Sequence, residues 1–165
     1  MTPFRPRYWD RAATEKRSDH DPDATVGLLL SKDPQGVYYV EDVRKMLASP
    51  HTVEQAMRNC AQQDGRATTI AFMQDPGWAG VAEAQATARA LDGFDVRFAT
   101  ASGDKETRAK PVSAQAEAGN VKLVRGLWND QFLRVLENFP NGRHDDELDA
   151  LSGAYERLAD SSSGA

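Results

Sequence analysis

The apolar positions of this chain change period several times, and each change marks an element. Phe4 to Thr14 alternates around Tyr8 and Trp9 in the two-residue rhythm of a strand, ending near Asp10–Ala13. The polar run Glu15–Asp23 that follows predicts an exposed loop. Ala24–Ser31 and Val37–Val43 are β-rich runs on either side of Lys32-Asp33-Pro34-Gln35-Gly36, whose proline and glycine suit a turn. A hairpin is expected there, so three antiparallel strands open the fold.

The rhythm then lengthens. Ser49-Pro50-His51-Thr52 reads as a helix start, with Val53, Ala56, Met57 and Cys60 on one face. Thr68–Met73 is a six-residue β-branched and apolar run, a buried strand stopped by Gln74-Asp75-Pro76-Gly77. A helix is expected over Gly80–Leu91, closed by Asp92-Gly93, then a strand over Val96–Thr100 and a polar loop over Ala101–Glu106. Arg108–Ala118 is helical in composition despite Pro111, and Gly119 is placed to end it. Val121–Val124 is a short strand, and Asp130–Asn138 a helix carrying Phe132, Leu133 and Leu136 on one side. After the break at Pro140-Asn141-Gly142, a last helix is expected over Asp145–Ala159 with Leu148, Leu151, Tyr155 and Leu158 as its buried stripe. Residues 161–165, three serines, a glycine and an alanine, are expected to form a flexible tail. The order β-β-β-α-β-α-β, then helices with a small extra strand, predicts a mixed α/β sheet in one domain over residues 1–160. It shows no internal repeat and no dividing linker.

Composition narrows the setting. A chain of 165 residues with 40% hydrophobic and 27% charged positions can bury a core without metal or disulfide staples, and Cys60 has no second cysteine to bridge. One thiol and no apolar N-terminal run lead us to expect a reducing, intracellular setting. No apolar stretch approaches the ~20 residues of a membrane span. The net charge of −5 argues on its face against a nucleic-acid ligand. It is a poor guide here, because Asp145, Asp146, Glu147 and Asp149 place four carboxylates in five positions.

Three acidic sites stand out by position. Asp10 interrupts a β-like run, where aspartate is normally depleted. Asp75 ends a buried strand ahead of Pro76-Gly77, which also suits an ordinary turn residue. Asp146 and Asp149 open the last helix three apart, on one face, where acids also complement the helix dipole. Carboxylates at strand ends and on a helix N-terminal turn can converge on a hard cation such as Mg²⁺ or Mn²⁺. The crowded acids at 145–149 repel one another by more than a dipole worth ~0.3–1 kcal/mol per charge offsets, and a divalent cation would relieve that. His20, His51 and His144 are widely spaced, which argues against zinc and against a Cys60–His nucleophile pair.

The motifs also occur in a familiar order. Arg7-Tyr8-Trp9-Asp10-Arg11-Ala12-Ala13-Thr14, Asp75-Pro76-Gly77-Trp78-Ala79-Gly80 and Gly103-Asp104-Lys105-Glu106-Thr107-Arg108-Ala109 come first. Ala118-Gly119-Asn120-Val121, Phe139-Pro140-Asn141-Gly142 and His144-Asp145-Asp146-Glu147-Leu148-Asp149-Ala150-Leu151 follow. Together, over residues 4–158, they resemble the C-terminal nuclease domain of the large terminase subunit of tailed bacteriophages, a family related to Holliday-junction resolvases. The resemblance implies a ribonuclease H-like mixed sheet, its first three strands antiparallel with parallel additions, and flanking helices. It implies a metal-dependent endonuclease that cuts double-stranded DNA during phage genome packaging. Asp10 would bridge two Mg²⁺ or Mn²⁺ ions, Asp75 would supply a second ligand, and Asp146 with Asp149 the third, with Asp145 the second choice. The family commonly has glutamate where Asp75 stands, one methylene longer.

The implied chemistry is two-metal hydrolysis, with ions roughly 3.5–4 Å apart that activate water and stabilise the leaving 3′ oxygen, leaving 5′-phosphate and 3′-hydroxyl ends. Lys105 and Arg108, three apart in a loop that starts a helix, are the expected phosphate contacts. The implied partners are a terminase ATPase domain, the small terminase subunit and the portal, in the cytoplasm of a bacterial host. No phosphate-binding Gly-x-x-x-x-Gly-Lys-Ser/Thr loop occurs in this chain, so no ATPase domain is expected in it. A junction resolvase and a catalytically silent docking module of the packaging motor are the alternatives.

Overall fold

The computed structural model describes residues 4–11, 24–100, 104–138 and 146–163. The strands are β1 (Arg7–Asp10), β2 (Thr25–Lys32), β3 (Tyr38–Met46), β4 (Ile70–Gln74), β5 (Val96–Thr100) and β6 (Val121–Leu123). The helices are α1 (Pro50–Asp64), α2 (Trp78–Ala90), α3 (Lys105–Glu117), α4 (Asn129–Asn138) and α5 (Asp146–Ser163). They form one six-stranded sheet in the order β5-β4-β1-β2-β3-β6. β1, β2 and β3 pair antiparallel, whereas β4 joins β1, β5 joins β4 and β6 joins β3 in parallel. This is the ribonuclease H-like arrangement expected of the sequence.

Alternation along the strands divides the core in two. On one face Tyr8, Val26, Leu28, Leu30 and Ala71 pack under Ala109 and Val112 of α3, Phe132 of α4, and Leu148, Leu151, Ala154 and Leu158 of α5. On the other, Trp9, Ile70 and Phe72 meet Val53, Met57, Cys60 and Ala61 of α1 and Ala84 of α2. The second face also buries Arg7, whose guanidinium donates to both carboxylate oxygens of Asp64 at 2.8 Å and to Asp42 at 2.8 Å. That fork ties β1 to β3 and to the end of α1, so a buried cation is fully answered.

Several boundaries differ from the sequence reading. β1 starts at Arg7 rather than Phe4. α2 begins at Trp78, two residues early, because Gly77 turns the chain at φ +94° ahead of it. α3 begins at Lys105, inside the expected loop, because the Asp104 carboxylate accepts from the Thr107 N–H at 2.7 Å and caps it. α5 runs to Ser163, into the stretch expected as a tail, since no glycine or proline follows Gly153 until Gly164. The expected loop at Glu15–Asp23, the break at Pro140-Asn141-Gly142, Gly103 and Asp145 lie outside the described residues. Among the described residues no helix is long and apolar enough to cross a membrane.

Candidate metal centre

β1 is a central strand, and Asp10 is its last residue. Tyr8 points toward α5, so Asp10, two residues on, points the same way just beyond the apolar core. α5 crosses that face with its N-terminus over the end of β1, and its first turn carries Asp146 and Asp149. Asp10, Asp146 and Asp149 each offer a carboxylate oxygen, and the three oxygens lie within 4.8 Å of one another. All three residues are half-buried.

Such a grouping is electrostatically costly without a cation. Burial and the neighbouring charges of Asp149 and Asp146 push the Asp10 carboxyl up to about 8, against a smaller opposing pull from Lys105 and Arg108. The donor set is all carboxylate oxygen, which fits a hard divalent cation, and a dication answers the same repulsion that holds the proton on Asp10.

The remaining expected residues fall around this cluster. Asp75 follows β4 directly, beside β1, but it is exposed and is not one of the three acids that meet within 4.8 Å. Its backbone is pinned: a Cβ on Gly80 would stand 1.9 Å from the Asp75 carbonyl oxygen, so only glycine lets the first turn of α2 close over it. Lys105, at the start of α3, places Nζ 3.1 Å from Asp149 Oδ2 and remains largely exposed. Arg108, one turn on, is mostly buried, with Nε 3.4 Å from Glu156 Oε1 of α5.

Other residues at this end of the sheet carry no sequence signal as site residues. Lys45 of β3 sets Nζ 2.7 Å from Oε1 of Glu147, so the third acid of the 145–149 run is turned away from the cluster and answered by a lysine. Arg11 leaves the end of β1 toward the opposite face. Its guanidinium lies over the Phe72 ring at 4.5 Å, donates to Thr87 Oγ1 at 2.7 Å and stands 3.5 Å from Glu83.

An acid-ended central strand, two antiparallel neighbours, parallel additions and a final helix delivering two more acids define a ribonuclease H-like domain. Residues 7–158 match the family described as the terminase RNase H-like domain, and the chain belongs to that family. Among solved structures it is similar to the large terminase nuclease from thermophilic phage G20c with bound zinc, at 18% identity and TM-score 0.64 over 92% of each chain. The same nuclease with bound magnesium aligns at 17% identity and TM-score 0.62, again over 92% of each chain. The yeast mitochondrial Holliday junction resolvase Ydc2 aligns at 7% identity and TM-score 0.54, over 82% of this chain and 75% of that one. At these identities the likeness is one of fold. No curated protein matches the chain.

Proposed function

We propose that this domain is an endonuclease that cuts double-stranded DNA during phage genome packaging, using divalent cations held by Asp10, Asp146 and Asp149. The observation that carries the reading is the convergence of three half-buried carboxylates from β1 and α5 in a domain of this family. Asp75, exposed just past the end of the neighbouring strand, is the acid we assign to a second cation. Bound Mg²⁺ or Mn²⁺ would supply an activated water and charge neutralisation at the departing 3′ oxygen.

The chain's own groups do the rest. Asp10 is fixed by the central strand and the Asp146/Asp149 pair by the first turn of α5, so the donors hold their places while DNA enters. Lys105 reaches from α3 to Asp149 and, with its ammonium largely exposed, is placed to meet a backbone phosphate at the edge of the acids. Arg108 backs it with positive field from a buried position beside Glu156. A backbone-directed contact set of this kind reads little sequence, leaving the choice of cutting position to the packaging motor. The motor's ATPase domain, small subunit and portal are the partners this reading implies, and the bacterial host cytoplasm is the setting.

Supercoiled plasmid incubated with Mn²⁺ is expected to be nicked and linearised, and Asp10→Asn is expected to abolish this. Preference for a four-way junction over linear duplex would point instead to a resolvase, whose fold the domain shares with Ydc2. Absence of any cleavage, with binding to an ATPase subunit or portal retained, would make it a docking module.

A further inference from the structure

One buried acid beside the cluster takes no part in it. Glu147 lies in the first turn of α5 between Asp146 and Asp149, with its side chain 1% exposed. Among the described residues neither of its oxygens accepts a directed hydrogen bond, and its charge is met by Lys45 Nζ at 2.7 Å. Lys45 sits opposite Val26 on β2, and Val26 sits opposite Asp10 on β1, so Asp10, Val26 and Lys45 form one row across three strands, on the face that α5 covers.

The first turn of α5 therefore lies over a row with unlike ends. Over Asp10 it brings Asp146 and Asp149, like charge on like charge. Over Lys45 it brings Glu147, opposite charge on opposite charge. The apolar stripe sets which side of α5 faces the sheet, but near the start of the helix only Leu148, Ala150 and Leu151 contribute to it, and apolar burial is less directional than an ion pair. Successive side chains on a helix differ by about 100°, so fixing Glu147 on Lys45 fixes the direction in which Asp146 and Asp149 point. A buried acid with one ionic partner is a costly device unless its geometry matters.

We propose that Lys45 and Glu147 are a positioning pair that holds the first turn of α5 in place against the carboxylate repulsion, so that the three acids stand assembled before a cation arrives. The inference rests on reading that cluster as a metal site. Glu147 acts here through Lys45 and not as a ligand.

The test measures amide hydrogen exchange in metal-free protein and Mn²⁺ binding by calorimetry, on wild type, Glu147→Gln, Lys45→Met and Lys45→Arg. In metal-free Glu147→Gln and Lys45→Met, exchange at the start of α5 is expected to quicken at least tenfold while β1 and β2 keep their protection. Mn²⁺ affinity is expected to fall about tenfold in both, and saturating Mn²⁺ to restore protection. Lys45→Arg, which keeps the charge, is expected to retain both properties. Unchanged exchange and affinity in the two neutral variants would overturn the proposal. So would exchange that quickens equally through the whole sheet, the mark of a merely stabilising pair, or an arginine variant no better than the methionine one. Should wild type bind no Mn²⁺, the metal reading of the cluster falls, and exchange in the metal-free chain still decides whether the pair positions the turn.

Discussion

The Tyr8 ring lies against Gly153 so closely that a Cβ on that glycine would stand 2.2 Å from the ring's Cζ. Tyr8 is two residues before Asp10, and Gly153 is about one helical turn after Asp149. This contact sets how near α5 comes to β1, and so how near the acids on the two elements come to one another. Gly153→Ala is expected to push the helix outward. Overpacking of this kind costs roughly 1–3 kcal/mol, more than the helix propensity gained by replacing glycine. Urea unfolding should show the loss, and calorimetry should show weaker Mn²⁺ binding. A variant that is more stable than wild type and binds Mn²⁺ equally well would mean that the helix has slack to move.

Asp10 ties stability to pH in metal-free protein. Its folded carboxyl titrates near 8, raised by burial and by Asp149 and Asp146, whereas the unfolded one titrates near 4. Between those values the folded state binds the additional proton, so the stability it lends is fully present below about pH 4 and is lost as pH rises through 8. Asp10→Asn is expected to flatten that slope and to raise the metal-free melting temperature at pH 8, by about 2–4 °C for each kcal/mol gained. The same variant should lose cleavage altogether. A melting temperature that falls at pH 8 would show that Asp10 carries structural weight of its own.

The acids should separate by calorimetry. Asp146→Asn and Asp149→Asn each remove an oxygen donor from the tight cluster and are expected to weaken Mn²⁺ binding at least tenfold and to abolish nicking. Asp75→Asn, outside that cluster, is expected to leave one high-affinity cation in place while cleavage falls sharply. Asp145→Ala should do less harm than Asp146→Ala. Greater damage from the Asp145 variant would shift the ligand assignment of the last motif by one residue.

Calcium offers a way to watch binding without cutting, because it accepts six to eight oxygens in loose geometry where in-line attack needs a tighter arrangement. In Ca²⁺, affinity for unrelated duplexes should fall alike when Lys105 becomes alanine, and the salt slope should drop by about one unit for the lost phosphate contact. Arg108→Ala, which leaves Glu156 only the longer contact to Arg157 at 4.0 Å, should lower thermal stability as well. An unaltered slope in the Lys105/Arg108 double variant would place the DNA path elsewhere on the domain.

Much of this was legible in the sequence because its signals are local. An aspartate ending a β-like run, a Pro-Gly turn after a buried strand, and acids spaced three apart at a helix start all declare themselves over a few residues. The role of Lys45 does not. Counted by twos from Tyr38 and Val40, which face α5, position 45 falls on the opposite side of the sheet. The register shift between Leu29 and Leu30 fits both Glu41 and Asp42 into a single step of β2 after Val40, and the parity of β3 reverses beyond it. Lys45 thereby joins Val43 on the α5 face. Gly153 was equally silent, since its meaning is a contact between residues 145 positions apart. Asp75 was visible, but its place outside the tight cluster depends on how far β4 extends past β1, and that is a tertiary property.

The order in which the chain supplies its acids has a consequence for when the site comes into being. Asp10 is contributed by the first strand and Asp146 and Asp149 by the last helix, so Asp10 and Asp146 stand 136 positions apart. Contacts of such long sequence separation form late, since their loop entropy must be met before they return any stability. A chain still emerging from the ribosome, or clipped ahead of α5, carries Asp10 alone of the three clustered acids. The three-acid cluster is thus the signature of a docked α5, and on the proposed function the site stays incomplete until that helix is in place.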